Sequence, residues 1–212
     1  MGSKRHSQRV SEVVIRTRAD GARELRVNGV FVMDDVETSS ERRLAELVLE
    51  RGARDVLVGG LGLGFTTRRL LEDTDVRRVL VAELHPAVVE SSDIEDPRAE
   101  VVVGDVRTVL AEQPDASFDA VLLDVDNGPD FLVHDANAGL YEPTGVADAV
   151  RVLRPGGTLA VWSMADSPAL RDALAEHLED VQAEAVPVRL QRRDEAYWVL
   201  TGRRSPGDIV RA

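Results

Sequence analysis

Val58-Gly59-Gly60-Leu61-Gly62-Leu63-Gly64 follows the apolar run Asp55-Val56-Leu57 and precedes Phe65-Thr66-Thr67-Arg68-Arg69-Leu70-Leu71-Glu72. A buried strand thus runs into a glycine turn, and the turn opens a helix. Glycines let the backbone turn sharply and admit a ligand that a β-carbon would hold off. The first turn of the helix adds unpaired N–H groups. α/β proteins hold nucleotide-like cofactors at such a junction.

Outward from this stretch, strands and helices alternate. Strands are expected at 54–59, 77–83, 99–103, 118–124 and 157–163, with helices at about 65–72, 86–91, 106–112 and 143–153. The strands are rich in Val and Leu without alternation, the pattern of a sheet covered on both faces. The expected fold is therefore α/β, a doubly wound and mostly parallel sheet. A further helix is expected over 168–180, started by Ser167-Pro168 as cap and first-turn pair. Residues 185–190 and 196–202 read as a terminal antiparallel hairpin around Gln191 to Glu195.

Upstream, Val13 to Arg18, Glu24 to Val27 and Val30 to Met33 are short strands. Asp20-Gly21 and Asn28-Gly29 between them are hairpin signals. A small N-terminal β-meander is expected over 11–36, ahead of an α/β domain over 37–212. A helix over about Ser40 to Glu50 turns Leu44, Leu47 and Val48 to one face. Met1 to Arg9 is polar and basic, lacks the apolar segment of a secretory signal, and is expected, with residue 10, to be a disordered leader.

The chain has 212 residues, 43% hydrophobic and 30% charged, which fits a soluble globular domain with a sizeable core. No apolar run approaches the roughly 18 residues of a membrane span. A formal charge of -12 argues against nonspecific attraction to nucleic acid or anionic membrane. There are no cysteines, which excludes disulfides and thiolate chemistry and agrees with a cytoplasmic location. His6, His85, His134 and His177 show no metal-ligand spacing, so no metal is expected. The exposed edges of the meander offer a surface for a homodimer.

The dinucleotide fingerprint is Gly-x-Gly-x-x-Gly. Here Phe65 stands at its last glycine position, which turns the reading away from dinucleotides. The second strand ends at Glu83, whose carboxylate can accept both hydroxyls of a ribose. The third ends at Gly104-Asp105-Val106, and Asp105 can accept from an adenine amino group. The fourth ends at Asp124. Glycine turn, Glu83, Asp105 and Asp124 thus share the ligand edge of an open α/β sheet. Each carboxylate alone also reads as a helix cap or a solvated strand end.

This set resembles the class I S-adenosylmethionine-dependent methyltransferases over Arg54 to Ser163, including Leu153-Arg154-Pro155-Gly156-Gly157-Thr158-Leu159 before the fifth strand. The resemblance implies that Gly59, Gly60, Gly62 and Gly64 flank the methionine part of the cofactor. It also implies that Glu83 and Leu84 hold the ribose side, that Asp105 and Val106 hold the adenine, and that Asp124 stands beside the sulfonium.

A narrower resemblance, to the spermidine synthase (polyamine aminopropyltransferase) branch, covers most of the chain. It rests on Leu25-Arg26-Val27-Asn28-Gly29-Val30, on Gly59-Gly60, and on Asp124-Val125-Asp126-Asn127-Gly128-Pro129 followed by Leu140-Tyr141. It puts Asp124 at the catalytic-base position. The departures fall where a diamine would bind. The family's Tyr-His-Glu is Ser39-Ser40-Glu41 here, its second loop aspartate is Asn127, and a glutamine at the fifth strand end is Trp162. An ammonium needs acceptors to replace its hydration, and Asp126 or Asp130 is available to compensate. Asp126, Asn127, Tyr141, Trp162 and Phe131 are the expected acceptor contacts, and Tyr197-Trp198 is assigned to the core. His134 is a weaker candidate base.

A sulfonium activates its adjacent carbons, so the protein has mainly to orient and deprotonate an acceptor. Asp124 is the candidate for that work, with cofactor binding or loop capping as its alternative role. The expectation is a transferase using S-adenosylmethionine, foremost a methyltransferase on a small molecule. An aminopropyltransferase using decarboxylated S-adenosylmethionine is the alternative, and a non-catalytic cofactor-binding homologue the second alternative.

Overall fold

The computed structural model describes residues 12–125, 128–132, 135–190 and 193–207. At the N-terminus β1 (Val13–Thr17), β2 (Arg23–Val27) and β3 (Val30–Asp34) form an antiparallel sheet in the order β1-β2-β3. Asn28 and Gly29 join β2 to β3 with φ of 52° and 78°, the left-handed pair that a tight two-residue hairpin needs.

The main sheet has seven strands in the order β6-β5-β4-β7-β8-β10-β9. They are β4 (Asp55–Gly59), β5 (Arg78–Glu83), β6 (Ala99–Val103), β7 (Phe118–Leu123), β8 (Leu153–Ser163), β9 (Glu179–Leu190) and β10 (Arg193–Arg203). Strands β4 to β8 are parallel, whereas β10 runs antiparallel to both β8 and β9. Strand order reverses between β4 and β7. That switch point opens a crevice at the strands' carboxyl ends, and the glycine turn lies in it.

Helices cover both faces, as the unbroken apolar strands predict. Val56, Val58 and Leu122 pack with α1 (Ser39–Leu49), α2 (Phe65–Leu71) and α3 (Pro86–Glu90). Leu57, Leu123 and Leu159 pack with α4 (Val106–Glu112), α5 (Pro143–Val152) and α6 (Pro168–Ala175). Leu44, Leu47 and Val48 of α1 are buried as expected. The meander has no separate core: Leu25 joins the first cluster, and Val13, Ile15, Val32 and Met33 pack against it.

Three departures from the sequence expectation have local causes. Helix α6 ends at Ala175, not 180, because buried Leu178 plugs against Gly202 of β10, where a β-carbon would stand 2.8 Å from Leu178 Cδ1. Residues 179–190 then pair along β10, and ladder hydrogen bonds override the helical pattern. Strand β8 starts at Leu153, four residues early, through an irregular register opposite Phe118 and Ala120. A 3-10 turn, Asp135–Leu140, lies where no element was expected. No helix among the described residues is long and apolar enough to cross a membrane.

Candidate active site

The glycine turn is pressed against the tip of β7. Asp124 N–H donates to Gly59 O at 2.8 Å, and Gly60 N–H to Ala82 O at 2.8 Å. Gly60 has φ of 90°, and a β-carbon there would overlap the Asp124 carbonyl oxygen, so only glycine fits. Gly62 faces the meander instead. A β-carbon on it would lie 2.6 Å from Met33 Sδ, and that sulfur accepts the Leu63 N–H at 3.2 Å. The turn's donors are thus mostly used within the protein: Leu61 N–H goes to Glu83 Oε2 at 2.9 Å and Gly64 N–H to Leu61 O at 2.8 Å.

Glu83 is 6% exposed, and its Oε1 accepts the His85 N–H at 2.8 Å. Two backbone donors fix the carboxylate at the tip of β5 while each oxygen keeps a lone pair for a ligand. Asp105 caps α4, with Oδ1 accepting the Arg107 N–H at 2.8 Å, and leaves Oδ2 for a further donor. For this residue the capping role and a ligand role coexist.

Two more carboxyls converge beside the turn. Asp124 Oδ2 accepts the Thr66 hydroxyl at 2.6 Å. Burial pushes Asp124 up to about 6 against the opposing pull of that bond. Glu41, on the first turn of α1, is 7% exposed and accepts the Ser40 hydroxyl at 2.7 Å. Burial, followed by the charge of Asp124, pushes it up to about 7. Thr66 Oγ1 also lies 3.4 Å from the Glu41 carbonyl, so one threonine touches both residues.

These groups line one cavity of about 750 Å³ between the sheet edge and the meander, a volume typical of small-molecule sites. Of the residues named from the sequence, Gly60, Gly62, Glu83, Leu84, Asp105, Val106, Asp124 and Trp162 line it. Gly59 and Gly64 stand behind the wall, Gly59 against Val106 and Gly64 capping α2. Tyr141 and Phe131 are not lining residues. Tyr141 is 6% exposed and its hydroxyl donates to Val125 O at 2.9 Å, so it braces the loop after Asp124 from the core. Phe131 is 49% exposed, away from the wall. Asp126, Asn127 and His134 lie outside the described residues.

Tyr197 and Trp198 pack against the core as assigned, but Tyr197 also lines the cavity and packs on Trp162 with ring centroids 4.9 Å apart. Burial first, then the charges of Glu41, Glu195, Asp34 and Glu37, hold its phenol above the usual range. The signal was the period of two, because Val199 pairs with Trp162 and Tyr197 shares its face. Met33, Glu37, Asn137, Met164 and Arg189 also line the wall and were not foreseen. They come from segments distant in sequence that only the tertiary fold brings together.

Residues 57–161 match the family model described as a methyltransferase domain. The polyamine aminopropyltransferase of Mycobacterium tuberculosis is 34% identical over 169 residues, 74% of this chain and 31% of that protein. The spermine synthase of Arabidopsis thaliana is 25% identical over 198 residues, 82% of this chain and 53% of that protein. The chain thus spans about a third of the mycobacterial relative's length and about half of the plant one's. Among solved structures, a spermidine synthase in complex with the transition state analogue AdoDATO superposes with a TM-score of 0.75 at 14% identity, covering 92% of this chain and 70% of that one. The Thermotoga maritima spermidine synthase gives 0.72 at 16%, covering 93% and 70%. The chain thus carries a class I S-adenosylmethionine-dependent methyltransferase fold. Its homologues by sequence and its neighbours by fold are polyamine aminopropyltransferases and spermidine synthases.

Proposed function

We propose that this chain transfers an aminopropyl group from decarboxylated S-adenosylmethionine to an amine. The observation that carries this reading is the pair of cavity carboxyls, Asp124 and Glu41, beside the glycine turn. The amino acid carboxylate of undecarboxylated S-adenosylmethionine would need N–H donors or a cation there. Gly60, Leu61, Leu63 and Gly64 already donate within the protein. Of the lining arginines, Arg18 is tied to Asp20 and Asp34, Arg26 to Glu24, and Arg189 stands on β9, three strands away from Asp124 at the tip of β7. An ammonium, which needs acceptors only, suits this corner and a carboxylate does not. The names of the relatives favour the same reaction over methyl transfer.

The residues divide the work along the sheet edge. In this reading Glu83 accepts the ribose hydroxyls, Asp105 accepts the adenine amino group, and Leu84 and Val106 sandwich the base. The bound sulfonium supplies an electrophilic carbon and a neutral thioether leaving group. Asp124 takes the proton that an amine carries at neutral pH and so frees its lone pair. Its raised pKa brings it nearer the operating pH, as a general base requires. Glu41 keeps a second acceptor against the same nitrogen. The C–S bond breaks as the C–N bond forms, and the new secondary ammonium gives up its proton to the carboxylates and then to solvent.

The test is incubation with an amine and each donor in turn. Decarboxylated donor should yield methylthioadenosine and an aminopropylated amine. S-adenosylhomocysteine formed from the undecarboxylated donor, with no reaction of the other, would contradict the proposal.

A further inference from the structure

The cavity does not stop at the donor site. The register that pairs Leu123 with Val161 sets Asp124 level with Trp162 on β8. The pairing of Val199 with Trp162 puts Tyr197 of β10 on the same sheet face. Two strand spacings separate β7 from β10, about 10 Å between backbones. Along this track the wall turns from carboxyl to ring. Trp162, at 7% exposure, backs the partly buried Tyr197 ring. The charges that act on the Tyr197 phenol are all negative: Glu41, Glu195, Asp34 and Glu37. Asp34 is tied to Arg18, whereas Glu37 meets no cation among the described residues. The Arg189 side chain is on the other face, opposite Asp194, and its backbone N–H is what reaches Glu37. This end of the cavity therefore attracts a cation, yet it offers few free acceptors. Glu37 Oε1 already accepts the Ser39 amide at 3.0 Å and the Ser39 hydroxyl at 2.5 Å, and its Oε2 accepts the Arg189 amide at 3.3 Å. Those bonds take up most of the roughly four lone-pair sites of a carboxylate. The Trp162 indole can only donate, and its Nε1 has no acceptor of its own.

A primary ammonium at this end would lose the hydration of its three donors and find too few acceptors in exchange. An alkylated ammonium has one donor or none, and needs only negative potential and a ring face. We propose, resting on the aminopropyl-transfer reading, that the acceptor carries one primary nitrogen and, a few carbons away, one tertiary or quaternary nitrogen. Its primary nitrogen lies at Asp124 and Glu41, its methylene chain passes Trp162, and its alkylated cation sits against the Tyr197 ring beside Glu37. The primary nitrogen, deprotonated by Asp124, forms the new C–N bond as the donor's C–S bond breaks and methylthioadenosine leaves. The alkylated nitrogen takes no part in the transfer.

Three acceptors with the same four-carbon spacer separate the possibilities, each with decarboxylated S-adenosylmethionine. They are (4-aminobutyl)trimethylammonium, 1,4-diaminobutane and 5,5-dimethylhexylamine, the last being the neutral copy of the first in shape. The quaternary acceptor should have the highest kcat/KM, by about fivefold over its neutral copy, the size a partly desolvated contact of cation and ring gives. Tyr197→Leu should cut that ratio by about threefold or more, and Tyr197→Phe, which keeps the ring, should preserve it. Glu37→Gln should lower the same ratio through the lost charge, and it carries the test if Tyr197→Leu does not fold. A wild-type protein that does not favour the quaternary acceptor over both others overturns the acceptor assignment and leaves aminopropyl transfer standing. So does a ratio that these two variants leave unchanged. Absence of transfer to all three acceptors overturns the reaction itself and the acceptor assignment with it.

Discussion

Thr66, in the first turn of α2, donates its hydroxyl to Asp124 Oδ2 at 2.6 Å. The helix opened by the glycine turn therefore holds the carboxylate at the tip of β7, and donor site and candidate base are mechanically one unit. Thr66→Val removes the bond that favours the charged carboxylate. The Asp124 pKa should rise further, and the acidic limb of the kcat/KM profile should move to higher pH. A hydrogen bond to a charged group is worth about 1.5–3 kcal/mol, which would raise a pKa of about 6 by roughly one to two, so kcat/KM at pH 7 should fall by about twofold to fifteenfold. A rate profile with an unmoved limb would show that Thr66 does not set the base.

Asp124→Asn keeps the shape and loses the proton acceptor. Turnover should drop by about 10² to 10⁴, the range of a general base. Donor affinity measured by calorimetry should fall only by about tenfold, the share of one charge-assisted hydrogen bond. A variant with undiminished turnover would reduce Asp124 to a structural residue.

The carboxyl pair also predicts a pH dependence of stability. Glu41 and Asp124 are raised in the folded state, to about 7 and about 6. The fold therefore holds protons that the unfolded chain releases, and these two groups make stability fall as pH rises from about 4 to 7. Below that window both states are protonated and nothing is lost, and above it the loss is complete. For Glu41 it amounts to ~3 kcal/mol at 1.36 kcal/mol per unit. Glu41→Gln should raise the melting temperature at pH 8 and flatten the decline, as thermal unfolding at several pH values would show. Equal melting temperatures for the two proteins at pH 8 would mean that Glu41 is not held under strain.

Gly60→Ala places a methyl group on the Asp124 carbonyl at a φ of 90°. Strained left-handed backbone costs of order 1–3 kcal/mol before any clash. The variant should unfold at lower denaturant and, where folded, lose donor binding. Gly21→Ala, also at positive φ but with open space around it, is the control and should cost the backbone strain alone.

The parallel sheet was legible because its strands are uniformly apolar and its helices periodic, so Val56 to Gly59 and Leu44 to Val48 fell where expected. The row of carboxylates along one sheet edge was legible because Glu83, Asp105 and Asp124 close successive strands. The terminal hairpin was legible only in part. Its full length depends on Leu178 packing on Gly202, two residues far apart in sequence. Tyr141 proved to be core, and Tyr197 to line the cavity while it packs against the core, for a similar reason. Which tyrosine faces a cavity is set by strand register and loop packing, and composition carries neither. Glu41 stood in plain view within Ser39-Ser40-Glu41, but its burial beside Asp124 follows from α1 crossing over the sheet.

The central claim is that the Asp124 and Glu41 corner accepts an ammonium and refuses a carboxylate. Calorimetric titration of the protein with decarboxylated S-adenosylmethionine and with S-adenosylmethionine at pH 7.5 tests it most directly. Tighter binding of the decarboxylated form, by roughly tenfold or more and reduced in Asp124→Asn, is the predicted result, since one charge-assisted hydrogen bond is worth about that much. Equal affinity, or preference for the form that keeps its carboxylate, would contradict the account.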